Sequence, residues 1–470
     1  MTIRIDPPRA VHWIARTLEE AGFETWSVGG AVRDAILGRP SQDWDLATRA
    51  TPGQMRKVFR RTVPIGIDHG TVGVIDQDGV MYEVTTFRKD VETDGRHAVV
   101  AFAERIEDDL SRRDFTINAI AWHPLREELL DPFSGAADLK AGIVRTVGRP
   151  EERFGEDYLR ILRAMRFAGR LDFDIHADTW AALTASVEKL RGLSVERVHE
   201  EIWKILEGQS PPSRALGLYL SSGAMSVIAP EVLDREAGTD TGGVGSTGGI
   251  GAGVSGGLSG DIPDMAEVLA CVDALPAHRP LLRWVTLIRG GGATAPSDAV
   301  SGLKAASDRD ARAAVAAVGL MTRLRFSKAR IGRTAALIAA GSALPDDMDD
   351  TTSGDSPANE AQRRFLSRVG PEHLADLIRL AGAGVTSTAD RDRVARTGRT
   401  LRGIVQSDAP LGVGDLAFTG RDLIAAGHRP GRWFGDLLEH LLDCALADPT
   451  INHRETLAAL AESWIAERPS

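Results

Sequence analysis

The stretch from Ser27 to Thr48, SVGGAVRDAILGRPSQDWDLAT, limits the possible fold more than any other part of the chain. Val28 is predicted to end a strand, and Gly29 and Gly30 allow the backbone to turn sharply and to approach a ligand closely. A short helix is predicted at residues 31–37, so its first N–H groups point back toward the glycines and attract phosphate. The pattern therefore predicts a strand–turn–helix unit that binds an anion.

Charged side chains extend this unit. Arg33, on the first turn of the predicted helix, offers a fork of donors that suits phosphate oxygens. Residues 43–48 are predicted to form a strand, on which Asp43 and Asp45 project from the same face because side chains alternate. Two adjacent carboxylates repel unless a cation joins them, and oxygen ligands suit Mg²⁺ together with substrate phosphates. We therefore predict a nucleotidyl-transfer site; the alternative is an edge strand with two solvated acids.

Local signals predict the elements that follow. Thr51 and Pro52 are typical of a helix start, and Gln77–Gly79 of a hairpin turn between two strands. Glu83, on the second of these strands, is a candidate third carboxylate, and a solvated strand acid is the alternative. Residues 88–104 are interpreted as a polar loop that returns to structure.

A second motif, DLSRRDFTINAIA, covers residues 109–121. Ser111 is predicted to cap a helix, with Asp114 three residues later as a variant capping box. Arg113, Asp114 and Asn118 then lie near one helix edge, where they suit a triphosphate and a ribose hydroxyl. A solvated helix face is the alternative for this group.

A third motif, EDYLRILRAMRFAGR at residues 156–170, is predicted to be one helix. Asp157, Arg160, Arg163 and Arg166 recur at every third residue and form a stripe beside its apolar side. For a single aspartate–arginine pair, a surface salt bridge is the ordinary explanation. Four charged residues in register, after the two earlier motifs, point to a binding site.

This stripe suggests how a base is selected. Cytosine and adenine both present an amino donor beside a ring-nitrogen acceptor, whereas uracil and guanine present the reverse order. Asp157 can accept from the amino group while Arg160 donates to the ring nitrogen. A mismatched base leaves buried polar groups unpaired, at a cost of about 1–3 kcal/mol each. The pair therefore predicts use of CTP and ATP without a nucleic-acid template.

Together these strings resemble the class II tRNA nucleotidyltransferase and bacterial poly(A) polymerase family, within the polymerase-beta-type nucleotidyltransferase superfamily. The resemblance is strong over residues 24–208, moderate over residues 411–460 and absent from residues 236–362. It implies addition of CCA to the tRNA 3′ end from CTP and ATP, with catalytic Mg²⁺ ions held by Asp43 and Asp45. Gly30, Arg33 and Arg113 are then expected to hold the triphosphate. The expected base-reading residues and their support are Asp157, Arg160, Arg163 and Arg166.

The expected fold is α+β, with an N-terminal mixed β-sheet nucleotidyltransferase head followed by an all-helical neck, body and tail. Arg197 and Glu201 in the neck are interpreted as a structural pair of neighbours on one helix. The expected divisions are a head at 1–150, a neck at 151–235 that binds the base and RNA, a glycine-rich linker at 236–262, a degenerate helical body at 263–344, an acidic linker at 345–362 and a tRNA-binding tail at 363–470.

Composition restricts the setting. The formal charge of −10 argues against indiscriminate nucleic-acid binding, although a local basic groove is compatible with it. The sequence contains no uncharged apolar run long enough to predict a membrane span, and the first residues do not resemble a signal peptide. Two cysteines provide no disulfide framework. We therefore expect a cytoplasmic protein whose partners are CTP, ATP and the 3′ end and acceptor arm of tRNA; its oligomeric state is left open.

Three alternatives stay open at this stage. Relatives that add only the two cytidines, and relatives that make poly(A) tails, share these motifs. Lys89 to His97 is the candidate flexible element for the change from CTP to ATP, and its presence favours full CCA addition. A tRNA-binding module without catalysis is the third alternative, which the paired aspartates disfavour because binding alone needs no metal ligands.

Overall fold

The computed structural model describes residues 5–41, 43–93, 98–233, 264–290, 307–341, 344–345 and 357–467. The chain divides after Pro230 into two compact units, residues 1–230 and 231–470. The predicted glycine-rich linker at 236–262 lies outside the described residues. In the part of the chain that the structure describes, no helix is both long and apolar enough to cross a membrane.

The first unit contains the strands and the helices that pack on them. Its strands are β1 (Thr25–Val28), β2 (Asp45–Thr48), β3 (Thr62–Gly66), β4 (Thr71–Ile75), β5 (Met81–Thr86), β6 (Arg88–Thr93), β7 (Ala98–Phe102), β8 (Ala121–His123), β9 (Glu128–Leu130), β10 (Ile143–Val144) and β11 (Asp174–Ile175). Its helices are α1 (Arg9–Glu20), α2 (Gly30–Ile36), α3 (Pro52–Val58), α4 (Ile106–Ser111), α5 (Gly135–Ala141), α6 (Pro150–Glu156), α7 (Leu159–Leu171), α8 (Ala177–Ser186), α9 (Val195–Leu206), α10 (Pro212–Ser221) and α11 (Ala224–Ile228).

Seven strands form one mixed sheet in the order β3-β4-β5-β2-β1-β8-β9. β2 runs parallel to β5 and antiparallel to β1, and the remaining pairs are antiparallel. In this register Asp45 lies opposite Val28, and Leu46 lies opposite Val84. The start of β2 therefore lies between the glycine turn after β1 and Glu83 on β5.

The local start and turn signals are confirmed. Thr51 and Gln54 form a capping box at the first turn of α3, and the Gln77–Gly79 segment connects β4 to β5. The predicted loop at residues 88–104 is wrong, because β6 and β7 pair there as an antiparallel hairpin. The candidate flexible element from Lys89 to His97 lies partly outside the described residues, since 94–97 are not described.

The helix predicted from Ser111 is also wrong. Ser111 ends α4, and the chain then passes through a single 3-10 turn at Thr116–Asn118 into β8. Residues 114–124 are all buried, so this segment has no polar face to present as a surface helix. The Asn118 side-chain amide instead donates to Asp114 across the turn, at 3.0 Å.

The helix predicted over residues 156–170 is broken near its start. Helix α6 ends at Glu156, Asp157 has an extended backbone (φ −157°, ψ 106°), and α7 begins at Leu159. The Asp157 carboxylate accepts the Leu159 backbone N–H at 3.0 Å, which satisfies a donor at the start of α7. Asp157 therefore lies in the break before the helix that carries the three arginines.

All regular elements described in the second unit are helices, as expected for the body and tail. Helix α16 begins at Pro357, so the described end of the predicted acidic linker is helical. The helices are α12 (Met265–Ala274), α13 (Pro280–Gly290), α14 (Asp308–Arg323), α15 (Lys328–Ala339), α16 (Pro357–Val369), α17 (Leu374–Ala383), α18 (Thr388–Gln406), α19 (Gly420–Ala425), α20 (Trp433–Ala447) and α21 (Arg454–Glu467).

Helix α7 packs closely against α10 through Gly169. A Cβ atom at Gly169 would lie 2.5 Å from the Ala215 Cβ and 2.7 Å from the Ala215 backbone nitrogen. We expect Gly169→Ala to lower the free energy of unfolding by about 1–3 kcal/mol, because the two helices must separate to admit the methyl group. Urea denaturation of the full chain measures the change.

A glycine on the facing helix supplies the control. Gly217 lies inside α10, and a Cβ built there meets no heavy atom within 4 Å. Gly217→Ala should leave stability unchanged or raise it by up to about 1 kcal/mol, as alanine is the better helix former. Equal stability of the wild type and Gly169→Ala would contradict the close packing.

Candidate active site

The turn between β1 and α2 positions two opposite charges. Gly29 has φ 77° and ψ −135°, a conformation that favours glycine. A Cβ atom there would lie 3.2 Å from Arg113 Nη1 and 3.8 Å from Asp45 Oδ2. The missing side chain therefore leaves a small space that the Arg113 guanidinium and the Asp45 carboxylate both border.

The acidic side of the site centres on Asp45. Asp45 is half-buried at the start of β2, Asp43 is exposed just before the strand, and Glu83 is exposed on β5. Burial, together with the charges of Asp43 and Glu83, raises the pKa of Asp45 to about 6 against the opposing effect of Arg113. Ionisation of Asp45 is therefore more costly here than in water, and a bound cation would lower this cost.

These oxygens fit a divalent cation that shares its ligands with a substrate. Among the described residues, no group of three or more His, Cys, Asp or Glu side chains is arranged to hold a metal ion. A magnesium site commonly uses one or two carboxylates and completes its ligands with water and phosphate oxygens. Asp43 and Asp45 suit such a site, in which the nucleotide supplies the remaining oxygens.

The Asp45 carboxylate borders a large cleft of about 970 Å³ within the first unit. Ten cationic side chains and six acidic ones line this cleft, although the chain as a whole has a formal charge of −10. The lining therefore carries an excess of positive charge, and such an excess concentrates ligands of the opposite sign. The cleft is therefore suited to a polyanion such as a nucleoside triphosphate.

A hydrogen-bonded chain of side chains connects the glycine turn to helix α7. Arg33, only 2% exposed, donates from Nη1 to the Asn118 side-chain oxygen at 2.7 Å, and the Asn118 amide donates to Asp114. Arg163 on α7 donates from Nε to Asp114 Oδ2 at 2.8 Å. Burial alone would raise the pKa of Asp114, but Arg163 and Asn118 outweigh it and lower that pKa to about 2.

The predicted base-reading pair lies on the same cleft. Asp157 accepts from Arg197 at 2.6 Å in addition to the Leu159 N–H, so both of its oxygens are oriented. Arg160 donates to the backbone oxygens of Arg153 and Arg112, at 2.9 and 3.1 Å, and pairs with Glu156. The protein thus holds both side chains in place before any ligand arrives.

Sequence reasoning missed the roles of Arg197 and Glu201, which do not pair with each other. Arg197 binds Asp157, and the buried Glu201 accepts from Arg166 Nε at 2.6 Å. Glu201 lies among the buried apolar residues of α9. A carboxylate on an apolar helix face needs a charged partner. The position of Glu201 in the sequence could therefore have predicted that it pairs with a cation from another element.

The cleft brings together eight of the nine predicted site residues, and the ninth, Asp43, lies beside Asp45. Arg33 and Arg166 are almost fully buried, so their guanidinium groups mainly support neighbouring side chains. The eight residues that line the cleft are Gly30, Arg33, Asp45, Arg113, Asp157, Arg160, Arg163 and Arg166.

The turn at Gly29 provides a test of this geometry. We expect Gly29→Ala to weaken the binding of a nucleoside triphosphate to the cleft about tenfold, since a methyl group would displace Arg113 or Asp45. Isothermal titration calorimetry with CTP and Mg²⁺ measures the change. Gly22→Ala is the matched control: Gly22 has φ 86° and no heavy atom within 4 Å of the added Cβ. Equal losses in both variants would show that backbone strain alone is responsible.

Two family descriptions match the first unit. Poly A polymerase head domain matches residues 25–145, and the probable RNA and SrmB-binding site of polymerase A matches residues 172–235. The chain is 48% identical over 202 residues to the CCA-adding enzyme of Levilactobacillus brevis, covering 42% of this chain and 50% of that one. It is 44% identical over 226 residues to the CCA-adding enzyme of Lactiplantibacillus plantarum, covering 48% and 54%. The matched region thus spans about half the length of these curated relatives.

A solved structure is similar over almost the whole length. The crystal structure of the Bacillus stearothermophilus CCA-adding enzyme in complex with CTP covers 98% of both chains, with a TM-score of 0.70 and 28% sequence identity. Its likeness extends the comparison to the helical second unit, which the two family descriptions leave out. The head domain and the RNA-binding segment of this chain are thus similar to those of poly(A) polymerases and CCA-adding enzymes, and its fold is similar to that of a CCA-adding enzyme.

Proposed function

We propose that this chain adds CCA to the 3′ end of tRNA, without a template, from CTP and ATP. One observation carries the proposal: a single cleft contains a carboxylate suited to a metal, a set of cations suited to a triphosphate, and an oriented aspartate–arginine pair suited to a base. The names of the similar proteins support the same activity.

Family members generally use divalent metal ions, and we propose Mg²⁺ held by Asp43 and Asp45. The bound metal would polarise the phosphate and lower the pKa of the attacking hydroxyl. In the reaction the 3′-hydroxyl oxygen of tRNA bonds to the α-phosphorus and loses its proton to water. The bond from that phosphorus to the bridging oxygen breaks, and pyrophosphate leaves. Arg113, beside Asp45, is placed to neutralise the charge that develops on the phosphates.

The base is selected by Asp157 and Arg160. Each Asp157 oxygen accepts one hydrogen bond from the protein and has a lone pair left for an amino group. Arg160 uses three of its five N–H groups on partners among the described residues, which leaves donors for a ring nitrogen. Gly30, Arg33, Arg163 and Arg166 complete the proposed nucleotide site.

The proposal assigns the remaining parts of the chain as follows. The head at 1–150 and the neck at 151–235 carry the chemistry, and the tail at 363–470 holds the folded tRNA. We place the reaction in the cytoplasm, which is compatible with two cysteines that form no disulfide.

One assay tests the activity. Purified protein receives tRNA that lacks its 3′ CCA, with Mg²⁺ and with CTP alone, ATP alone, UTP alone, GTP alone, or CTP plus ATP. We expect three added nucleotides with CTP plus ATP and no addition of uridine or guanosine. Two added nucleotides with CTP plus ATP, as with CTP alone, would indicate CC addition only. A long ladder with ATP would indicate poly(A) synthesis, and no extension under any condition would reduce the protein to a tRNA-binding module.

A further inference from the structure

Phe167, on α7, lies among the guanidinium groups of the site. Its side chain is 6% exposed and borders the cleft. The guanidinium carbons of Arg33, Arg163 and Arg166 lie 5.3, 5.3 and 4.4 Å from the centre of its ring. Three like charges around one ring repel one another, and an aromatic face attracts each of them.

The ring also joins the two ends of the hydrogen-bonded chain described above. That chain runs from Arg33 through Asn118 and Asp114 to Arg163, and both terminal arginines contact the Phe167 ring. Phe115 packs edge-on against the same ring, with 5.8 Å between centroids, and restricts its rotation. The contacts therefore form a closed loop between the glycine-turn helix α2 and the base-reading helix α7.

We propose that Phe167 is a positioning residue. It fixes the position of the residues that bind the triphosphate relative to those that read the base. Its aromatic face compensates the mutual repulsion of the three guanidinium groups and fixes Arg163 and Arg166 relative to Arg33. Leucine keeps an apolar side chain, although a smaller one, but has no such face, so the arginines would separate and the neighbouring Asp157–Arg160 pair would lose its alignment. This inference rests on the proposed nucleotide addition.

The test measures base selection. We expect Phe167→Leu to raise the KM for CTP about tenfold and to lower the preference for CTP over UTP about tenfold, with little change in melting temperature. Phe173→Leu is the matched control: Phe173 is 8% exposed, and no guanidinium lies over its ring in the part of the chain that the structure describes. This variant should keep the wild-type preference.

A second substitution separates charge from shape. Site-specific incorporation of 3,4,5-trifluorophenylalanine at position 167 keeps the size of the ring but removes the negative character of its face. We expect an intermediate loss of preference for CTP over UTP, and this variant decides the question even where the leucine variant fails to fold. Wild-type preference in the fluorinated protein, or an equal loss in Phe173→Leu, would overturn the inference. Absence of nucleotide addition by the wild type would instead overturn the proposed function.

Discussion

Replacement of Asp45 with alanine should reduce the rate of nucleotide addition by at least about 10³-fold, because the site loses the carboxylate that borders both the cleft and Arg113. Single-turnover extension of tRNA lacking its CCA end, at saturating CTP and Mg²⁺, measures the rate. Asp78→Ala, in the exposed β4–β5 turn, is the matched control and should leave the rate unchanged. Extension by Asp45→Ala at a rate within tenfold of the wild type would contradict the assignment.

Loss of the Asp45 carboxylate should reduce the rate of nucleotide addition but increase the stability of the folded protein. The pKa of Asp45 is about 6 in the folded protein and near 3.8 in the unfolded chain, so the folded state binds its proton more tightly. Ionisation of Asp45 therefore lowers the free energy of unfolding. This destabilisation is absent below pH 3.8, grows up to about pH 6 and stays constant above it. At pH 7.5 without divalent metal, we expect Asp45→Asn to be more stable than the wild type by on the order of 1–3 kcal/mol.

Denaturation curves across pH separate this effect from ordinary packing. The advantage of Asp45→Asn should shrink as the pH falls from 6 toward 4, and added Mg²⁺ should stabilise the wild type much more than the variant. A variant that is less stable than the wild type at pH 7.5, or an advantage that does not change with pH, would show that Asp45 carries no electrostatic strain.

The second large effect concerns base choice. Asp157→Ala should lower the ratio of kcat/KM for CTP to that for UTP by up to about 10²-fold, because the position that reads the amino group loses a discrimination of about 1–3 kcal/mol while Arg160 still reads the ring nitrogen. Arg197 would then lose its partner at 2.6 Å and lie next to the base, where it can donate to the uracil oxygen. Competition between radiolabelled CTP and UTP at one enzyme concentration measures the ratio.

Two further variants make this result specific. Asp178→Ala removes an exposed acid from α8 in the same unit and should keep the wild-type ratio. Arg160→Lys retains the charge but loses the planar fork of the guanidinium group. We expect this variant to bind CTP more weakly and not to keep the full wild-type selectivity for CTP over UTP. Unchanged selectivity in Asp157→Ala would remove the base-reading role from this pair while leaving the metal assignment intact.

Several features of the site were predictable because they depend on residues close together in the chain. The sharp turn at Gly29, the helix start at Thr51 and Pro52 and the hairpin at Gln77–Gly79 follow from backbone sterics and local hydrogen bonds. Secondary structure predicted from local patterns was wrong where burial of the segment favoured a different conformation. The motif after Ser111 is buried from Asp114 onward and forms a turn and a strand there. Asp157 breaks a helix that periodicity alone would have continued.

The sequence by itself determined the strand–glycine–helix unit, the adjacent acids and the residue types needed for nucleotide chemistry, since each of these requires only neighbouring residues. Tertiary structure alone decided which charged and polar side chains pair. Arg163 meets Asp114 across 49 residues, Arg197 meets Asp157 across 40, and Arg33 meets Asn118 across 85. Such pairs form because packing removes these groups from water, where an unpaired charge is costly, and only the folded chain specifies which groups are buried together.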